Sequence, residues 1–498
     1  MINYKKYFEG KRVTKQGFGV LGRGYGVVKF LLESGAEVLV TDMKDEEFFK
    51  EQTEDLKNFC KESGIDFNKV TWRLGEHRLE DFEGCDFVIQ ASGVPKDNIY
   101  LAHAKSKNVP VYQEASLFAE IVREFNEDKS KDKQITLVGV TGTRGKTTTT
   151  FLIKAILDAH VTGLNRQNGI YKKVYFGGNV QGVATLENLK FLKGGDFVVM
   201  ELDSWVLQGF GDIRFSPHVA VFTTFMPDHM NYYKGDMQEY FLDKANIFEY
   251  QKSGDLFVAT EQIEGYIKKY MPNFVSQANG VIVNDIGLAQ DEEAFTRKII
   301  GKHNQIPVSL AIRAARALGA DEEIIKSVVE NFRGVKGRLE LIKEVGGIKI
   351  YNDTTATTGD AAAAAVQAVE EVLVTVGVGG KIVLITGGRD KELDMAKYLD
   401  TLQDVWEKDL VREIIFLQDE TTTGTNRVLK EKEESVGKYS FAYVTADSLE
   451  KAVELAKGVV QRGDVVILSP GFASFGMFQN EYDRGDRFVA AVKSDFGV

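Results

Sequence analysis

The sequence predicts an α/β protein of three domains, each built on a mainly parallel sheet flanked by helices. Three observations carry this. Apolar strand-like runs alternate with helical patterns along the chain. Two glycine-rich loops each follow a short strand and open a helix. The length, 498 residues, suits about three domains of ordinary size. Breaks fall at "NEDKSKDK", which holds nothing apolar, and at "NFRGVKGRLE", which mixes glycines and charges between a helix and a strand. They set the expected domains at 1–133, 134–335 and 336–498.

The first domain opens with a short, unusually polar strand "RVTKQ", the loop "GFGVLGRGYG", an amphipathic helix and the strand "AEVLVTD", together a βαβ unit. Gly17, Gly19 and Gly22 satisfy the G-x-G-x-x-G spacing and Asp42 ends the second strand, a dinucleotide-binding fingerprint. A nicotinamide-dependent dehydrogenase is one reading, and glycines that serve only a tight turn another. The polar strand counts against the dehydrogenase. Further on, "CDFVIQAS" reads as a strand, and "LAHAKSKNVPVYQEASLFAEIV" as helix, strand and helix.

The middle domain begins with the apolar strand "QITLVGV", then "VTGTRGKTTTT", then a helix whose stripe includes Phe151, Leu152, Ala155 and Ile156. A glycine loop between strand and helix lets backbone N–H groups converge on an anion, and the helix N-terminus adds a favourable dipole. Gly142, Thr143, Gly145, Lys146, Thr147 and Thr148 are therefore the candidates for holding nucleotide phosphates. Lys146 would place a point charge on the outer phosphates and Thr147 a hydroxyl on magnesium. The loop departs from the strict spacing, because Gly142 and Gly145 have two residues between them rather than four.

Such a loop needs a carboxylate to hold or orient its metal. Glu201 ends the apolar strand "DFVVMEL" with Asp203 close behind, and Asp228 and His229 follow the strand "HVAVFTTF". Taken singly, a strand-end glutamate or a lone histidine has a plainer reading as a solvated side chain. The third domain repeats the alternation through "IKIYND", the alanine-rich "DAAAAAVQAVEEV", "KIVLITGG", "REIIFLQ", "SLEKAVELAKGVV" and "DVVILSPG".

Composition narrows the function class. The 62 basic and 73 acidic residues leave a net charge of −11, which argues against a broad nucleic-acid face. Cys60 and Cys85 alone cannot make a disulfide framework or a four-cysteine zinc site. No stretch has a signal-peptide core or the roughly 18 apolar residues of a membrane span. The expectation is a cytoplasmic protein with small-molecule partners, no nucleic acid and no membrane.

Taken together and in order, "GTRGKTTTT", "ELDSW", "PDHMNYY" and "DKANIF" resemble the central ATPase domain of the Mur ligases, which add amino acids to the cytoplasmic peptidoglycan precursor. Downstream, "GKHN", "GRLE", "YNDTTATT", "GGRDKELD" and "SPGFASFGMFQNEYDRGDRF" look like the D-glutamate-adding branch. The resemblance covers nearly the whole chain. It implies Rossmann-like first and third domains around a central phosphate-loop ATPase, ATP with two Mg2+, and a monomer. The implied substrates are UDP-N-acetylmuramoyl-L-alanine and glutamate, joined through an acyl phosphate.

Residue by residue, the resemblance implies metal contacts from Thr147, Glu201 and His229. It also implies a carbamate on Lys244, which the residues alone would leave as a solvated helix lysine. Asn304 matches an adenine contact, and Arg338 and Asp353 match contacts to ATP phosphate and ribose. Lys391, Thr357 and Ser474 match positions for the incoming amino acid, and Asn179 one near the muramoyl substrate. Gly19, Gly22 and Asp42 match the UDP end. Departures from the family pattern are Arg144, Asp203, Val206, Thr355 and Glu481, which leave the incoming amino acid open between D- and L-glutamate. A folylpolyglutamate-type acceptor is a further alternative.

Overall fold

A computed structural model describes residues 1–19, 23–168, 172–180, 182–283, 299–376, 379–435 and 437–497. Within them the chain forms two compact units, Met1–Ala289 with Ile306–Lys326, and Gln290–Gln305 with Ser327–Val498.

The first unit holds two sheets. One comprises β1 (Arg12–Gln16), β2 (Glu37–Asp42), β3 (Val70–Leu74), β4 (Phe87–Gln90) and β5 (Val111–Gln113), in the order β3-β2-β1-β4-β5. The other comprises β6 (Thr136–Thr141), β7 (Val174–Gly178), β8 (Phe197–Glu201), β9 (Val219–Phe222), β10 (Leu256–Thr260) and β11 (Asn279–Val283), in the order β11-β10-β9-β6-β8-β7. Every neighbouring pair in both is parallel. Strand order reverses beside β1 in the first sheet and beside β6 in the second. Loops leaving the carboxyl ends of these strands therefore open at switch points, where parallel sheets take ligands. Both glycine loops lie there.

Central parallel strands are buried on both faces, and β6 meets this with Leu137, Val138, Gly139, Val140 and Thr141 all buried. The strand β1 meets it differently, since Thr14, Lys15 and Gln16 are buried although polar. A single apolar core unites the two sheets, with Phe30, Val38 and Phe118 in one part and Leu137, Met200 and Phe222 in the other.

The second unit carries β12 (Glu340–Val345), β13 (Ile348–Asn352), β14 (Ile382–Thr386), β15 (Val411–Leu417), β16 (Val444–Ala446) and β17 (Val465–Leu468), in the order β12-β13-β17-β14-β15-β16. Only the β12–β13 pair is antiparallel. The period-two pattern of its strands separates two cores. Leu384, Phe416 and Ile467 face one, and Val383, Ile415 and Val466 face the other, so helices cover both faces. The alanine-rich helix Gly359–Val376 packs Ala362, Ala363 and Ala365 into the first of these cores. Among the described residues no helix is long and apolar enough to cross a membrane.

Candidate active site

The loop after β6 can be built only with glycine at two points. Gly142 has φ 142°, and a Cβ there would lie 1.9 Å from Thr223 Oγ1; Gly145 has φ 84°, and its Cβ would meet Pro307 at 2.9 Å. The two threonines that follow β9, Thr223 and Thr224, grip the loop between them. Thr143 N donates to Thr224 O at 2.7 Å and Arg144 N to Thr224 Oγ1 at 3.0 Å, while Thr223 Oγ1 donates to Arg144 O. The helix Lys146–Asn168 starts at once, so its first amides have no intrahelical carbonyl and are available to an anion. Lys146 Nζ lies over the loop, donating to Gly142 O at 3.1 Å and Thr143 O at 3.3 Å.

A second lysine converges on the same carbonyl. Lys244, buried in the helix Met237–Ala245, donates to Gly142 O at 2.9 Å, its Nζ 5.0 Å from the Tyr240 ring centre. Burial holds this amine well below the ordinary lysine range and the charge of Lys146 pushes the same way, against Asp203, Asp228 and Asp243. An uncharged amine is thereby favoured in the interior.

Glu201 is buried at the end of β8, and Thr147 is the second residue of the phosphate-loop helix. His229 takes a left-handed backbone, φ 54°, with its ring 4.5 Å from that of Trp205. Its own N–H donates to Asp228 Oδ1 at 3.0 Å. Burial lowers the His229 pKa, opposed by Asp228, which keeps the imidazole neutral and able to ligate. Asp228 also receives Arg144 Nη1 at 3.3 Å. Among the described residues no three His, Cys, Asp or Glu side chains gather as a metal cage. Magnesium does not need one, because it is held through one or two carboxylates with substrate phosphates supplying the remainder. The Thr147 hydroxyl and the Glu201 carboxylate fit that demand.

The loop after β1 is braced from within. Asp42 Oδ2 accepts from Phe18 N at 2.7 Å and Gly19 N at 3.5 Å, and Oδ1 from Lys44 N at 3.0 Å. Gly22 lies outside the described residues. Beneath the loop, Lys15 Nζ donates to Gln16 O at 2.7 Å and Gly17 O at 2.6 Å, and burial lowers its pKa to about 8. Nearby Glu114, whose Oε1 accepts from Leu186 N at 3.1 Å, is pushed up to about 7 by burial. Asn179 ties the two sheets together. Its Oδ1 accepts from Arg23 Nη2 at 2.8 Å, its Nδ2 donates to Asp203 Oδ2 at 2.9 Å, and its N–H donates to Glu201 O at 2.6 Å.

In the second unit, Asn304 is buried and its amide donates to Ile300 O at 2.7 Å. Arg338 pairs through its backbone with Val335 in the turn that leads to β12. The Asp353 carboxylate accepts from Leu339 N at 3.0 Å and Ser469 Oγ at 2.9 Å, and burial pushes its pKa up to about 7. Lys391 Nζ donates to Thr357 Oγ1 at 2.9 Å, which brings two of the expected amino-acid contacts together; Ser474 is buried. The hydroxyl of Thr355 is spent on Gly337 O at 2.8 Å. Arg484, entirely enclosed, donates to Thr354 O at 2.8 Å, and Thr354 Oγ1 in turn donates to Glu481 O at 2.7 Å.

Sequence reasoning missed several participants. Thr223 and Thr224 shape the phosphate loop, and the paired threonines after an apolar strand were a usable signal. Asp243 gathers Lys96 Nζ at 2.6 Å, Gln208 Nε2 at 2.8 Å and Tyr233 Oη at 3.1 Å, with nothing in the local pattern to mark it.

A glycine loop gripped between two central strands, topped by a helix N-terminus and two converging lysines, defines an α/β nucleotide-phosphate-binding protein. Residues 140–315 match the Mur ligase middle domain and residues 337–472 the Mur ligase, glutamate ligase domain. The chain is 31% identical to the UDP-N-acetylmuramoylalanine--D-glutamate ligase of Roseiflexus sp. (strain RS-1), over 97% of this chain and 99% of that one. It is also 31% identical to the enzyme of the same name from Borreliella afzelii (strain PKo), over 96% of each. Its fold is similar to that of UDP-N-acetylmuramate-alanine ligase from Thermotoga maritima, with a TM-score of 0.55 at 20% identity, covering 97% of this chain and 99% of that one. The chain belongs to the Mur ligase family.

Proposed function

We propose that this protein is the ATP-dependent ligase that adds D-glutamate to UDP-N-acetylmuramoyl-L-alanine, in cytoplasmic peptidoglycan precursor synthesis. The names of its relatives support the substrates, and the convergence of Lys146 and Lys244 on the carbonyl of Gly142 supports the chemistry. A carboxylate is a poor electrophile. Transfer of the ATP γ-phosphoryl group to the terminal carboxylate of the alanyl substrate gives an acyl phosphate and ADP. The amine of glutamate then attacks the acyl carbon, and phosphate leaves as the amide forms. Bringing two anions together is the obstacle, and Lys146 offsets their repulsion at the loop.

Magnesium, when bound, would neutralise phosphate charge. We assign Thr147, Glu201 and His229 to it, with two ions in all. A carbamate on Lys244 completes the proposal. An uncharged amine adds to the carbon of CO2, a new N–C bond forms, one proton leaves, and an anionic oxygen donor stands where a cation could not ligate. The buried Lys244 amine is suited to that addition. Gly142, Thr143, Gly145 and Thr148 complete the phosphate cradle. Asn304 is assigned to adenine and Arg338 and Asp353 to ATP phosphate and ribose. Lys391, Thr357 and Ser474 hold the amino acid, and Gly19, Gly22, Asp42 and Asn179 the UDP-linked substrate. The three segments 1–133, 134–335 and 336–498 then serve UDP substrate, ATP and amino acid, in a monomer.

The test is phosphate release from ATP and Mg2+ with UDP-N-acetylmuramoyl-L-alanine, adding D-glutamate, L-glutamate or D-lysine separately, with product mass measured. Release with D-glutamate that requires both substrates is the expected result. Release with L-glutamate alone would reassign the amino acid. No release with any of the three, although ATP binds, would overturn the reading and make folate-type acceptors the next to try.

A further inference from the structure

Arg144 lies inside the phosphate loop, between Gly142 and Gly145, and its side chain is 62% exposed. We infer that Arg144 is a further catalytic residue, whose guanidinium pairs with the outer phosphate of the bound nucleoside triphosphate. The inference rests on the proposed function for the role of that nucleotide as phosphoryl donor.

The backbone of this residue is held on both sides. Arg144 N donates to Thr224 Oγ1 at 3.0 Å, and Arg144 O accepts from Thr223 Oγ1 and, at 3.2 Å, from Thr224 Oγ1. Gly145 then turns the chain into the helix Lys146–Asn168. With its Cα fixed, only the side-chain torsions of Arg144 remain to adjust when an anion arrives.

The side chain is turned toward His229. Among the described residues it makes one hydrogen bond, from Nη1 to Asp228 Oδ2 at 3.3 Å, and Asp228 immediately precedes His229. Thr143, on the other side of Arg144 from the helix, has its hydroxyl 3.3 Å from Tyr240 Oη. The Tyr240 ring lies 6.4 Å from that of His229 and 5.0 Å from Lys244 Nζ. Burial raises the Tyr240 pKa to about 12, and Asp228 and Arg144 act on that phenol in opposite directions. One cluster thus gathers the guanidinium, the imidazole and the Lys244 amine at the loop.

Stability does not account for an arginine here, since an exposed ion pair adds little. Lys146 rests on Gly142 O and Thr143 O, and an ammonium is a point charge that does not orient what it holds. A guanidinium has five N–H donors in a planar fork. With Nη1 on Asp228, the edge formed by Nε and Nη2 is left to take two phosphate oxygens at once. Charge shifts among those oxygens during transfer, and a cation already in place needs no reorganisation to meet it.

The test compares Arg144→Asn and Arg144→Lys with the wild type. ADP and a non-hydrolysable ATP analogue are titrated separately by calorimetry in Mg2+, and kcat and the KM values for ATP and UDP-N-acetylmuramoyl-L-alanine are measured. For Arg144→Asn the expected result is a loss of about tenfold to a hundredfold in affinity for the analogue, with ADP affinity and the KM for the UDP substrate within about threefold of wild type. The kcat should fall by about tenfold or more, and Arg144→Lys should recover part of each loss. A brace for the loop would weaken ADP and the analogue alike, so equal losses would overturn the inference. Unchanged affinity for the analogue would overturn it too, and a raised KM for the UDP substrate beside it would place the guanidinium on the acceptor carboxylate instead. A wild type that binds neither nucleotide would also overturn it. If the wild type binds the analogue but makes no amide product, the ligase reading fails while the calorimetry still decides the phosphate contact.

Discussion

In the loop after β6, lysines reach over the backbone to the carbonyl of Gly142, and neutral threonines hold the rest. In the loop after β1, a carboxylate reaches in to the amides of Phe18 and Gly19, and a lysine lies buried underneath. Both loops join a central parallel strand to a helix at a switch point, so the backbone plan is shared. The side chains that brace it differ in charge. The cation of Lys146 over the loop after β6 favours an incoming anion and suits phosphoryl transfer, whereas the carboxylate of Asp42 already occupies the amides of Phe18 and Gly19 in the loop after β1. A glycine spacing alone therefore does not say which kind of loop has formed.

The contrast predicts unequal responses to mutation. Lys146→Ala should cut turnover by at least about a hundredfold to a thousandfold with UDP affinity unchanged; phosphate release at a near-normal rate would break the comparison. Lys244→Ala should lose activity on a similar scale and recover part of it in added acetate, which can lend the oxygen ligand that the proposed carbamate would supply. Full activity without any added acid would remove Lys244 from the chemistry.

The smallest effect belongs to the first loop and concerns stability. The folded-state pKa of Glu114 is raised from 4.5 to about 7. The native protein thus holds a proton that the unfolded chain loses, and stability contributed by this group falls as pH rises from about 4.5 through about 7. Glu114→Gln keeps an acceptor for Leu186 N and removes the ionisation. Its Tm relative to wild type should therefore be higher at pH 8 and little changed at pH 4.5. An equal shift at both values would mean that the ionised form is already compensated by Lys15 and Arg23.

The periodicity of hydrophobic residues was enough to read the central strands of the three mainly parallel sheets and both loops, because strands buried on two faces and strand-loop-helix units leave local marks; the edge strands β3, β7, β11, β12 and β16 were missed. Thr147, Glu201 and Lys146 were legible for the same reason, each standing at an element end beside a motif. Asp42 was legible only by position. Its spacing suggested a nucleotide contact, while the direction of its carboxylate, toward the loop amides, depends on how β2 sits against β1. Asn179 and Arg23 are 156 residues apart, and no pattern within either segment announces their pairing. The polar strand "RVTKQ" was visible as an oddity, but its burial follows from a central place in the sheet that only the strand order reveals. The placement of Lys244 against Gly142 is likewise tertiary; the residues alone describe an ordinary helix lysine, and the resemblance supplied its role.

The indole ring beside His229 has an optical consequence. The chain has three tryptophans, one on a strand of the first sheet and two on helices. The ring of Trp72 lies 5.3 Å from that of Phe18 in the first glycine loop, Trp205 packs at a tilt against His229 near the phosphate loop, and Trp406 stands in the helix Ala396–Glu407 of the second unit. The indole N–H groups of Trp72 and Trp205 are buried without a hydrogen-bond partner among the described residues, a setting that shifts emission to shorter wavelength. With single-tryptophan variants, the fluorescence of Trp72 would follow the proposed UDP end and that of Trp205 the surroundings of His229. The order in which nucleotide and sugar nucleotide arrive could then be timed in one cuvette without attaching a label.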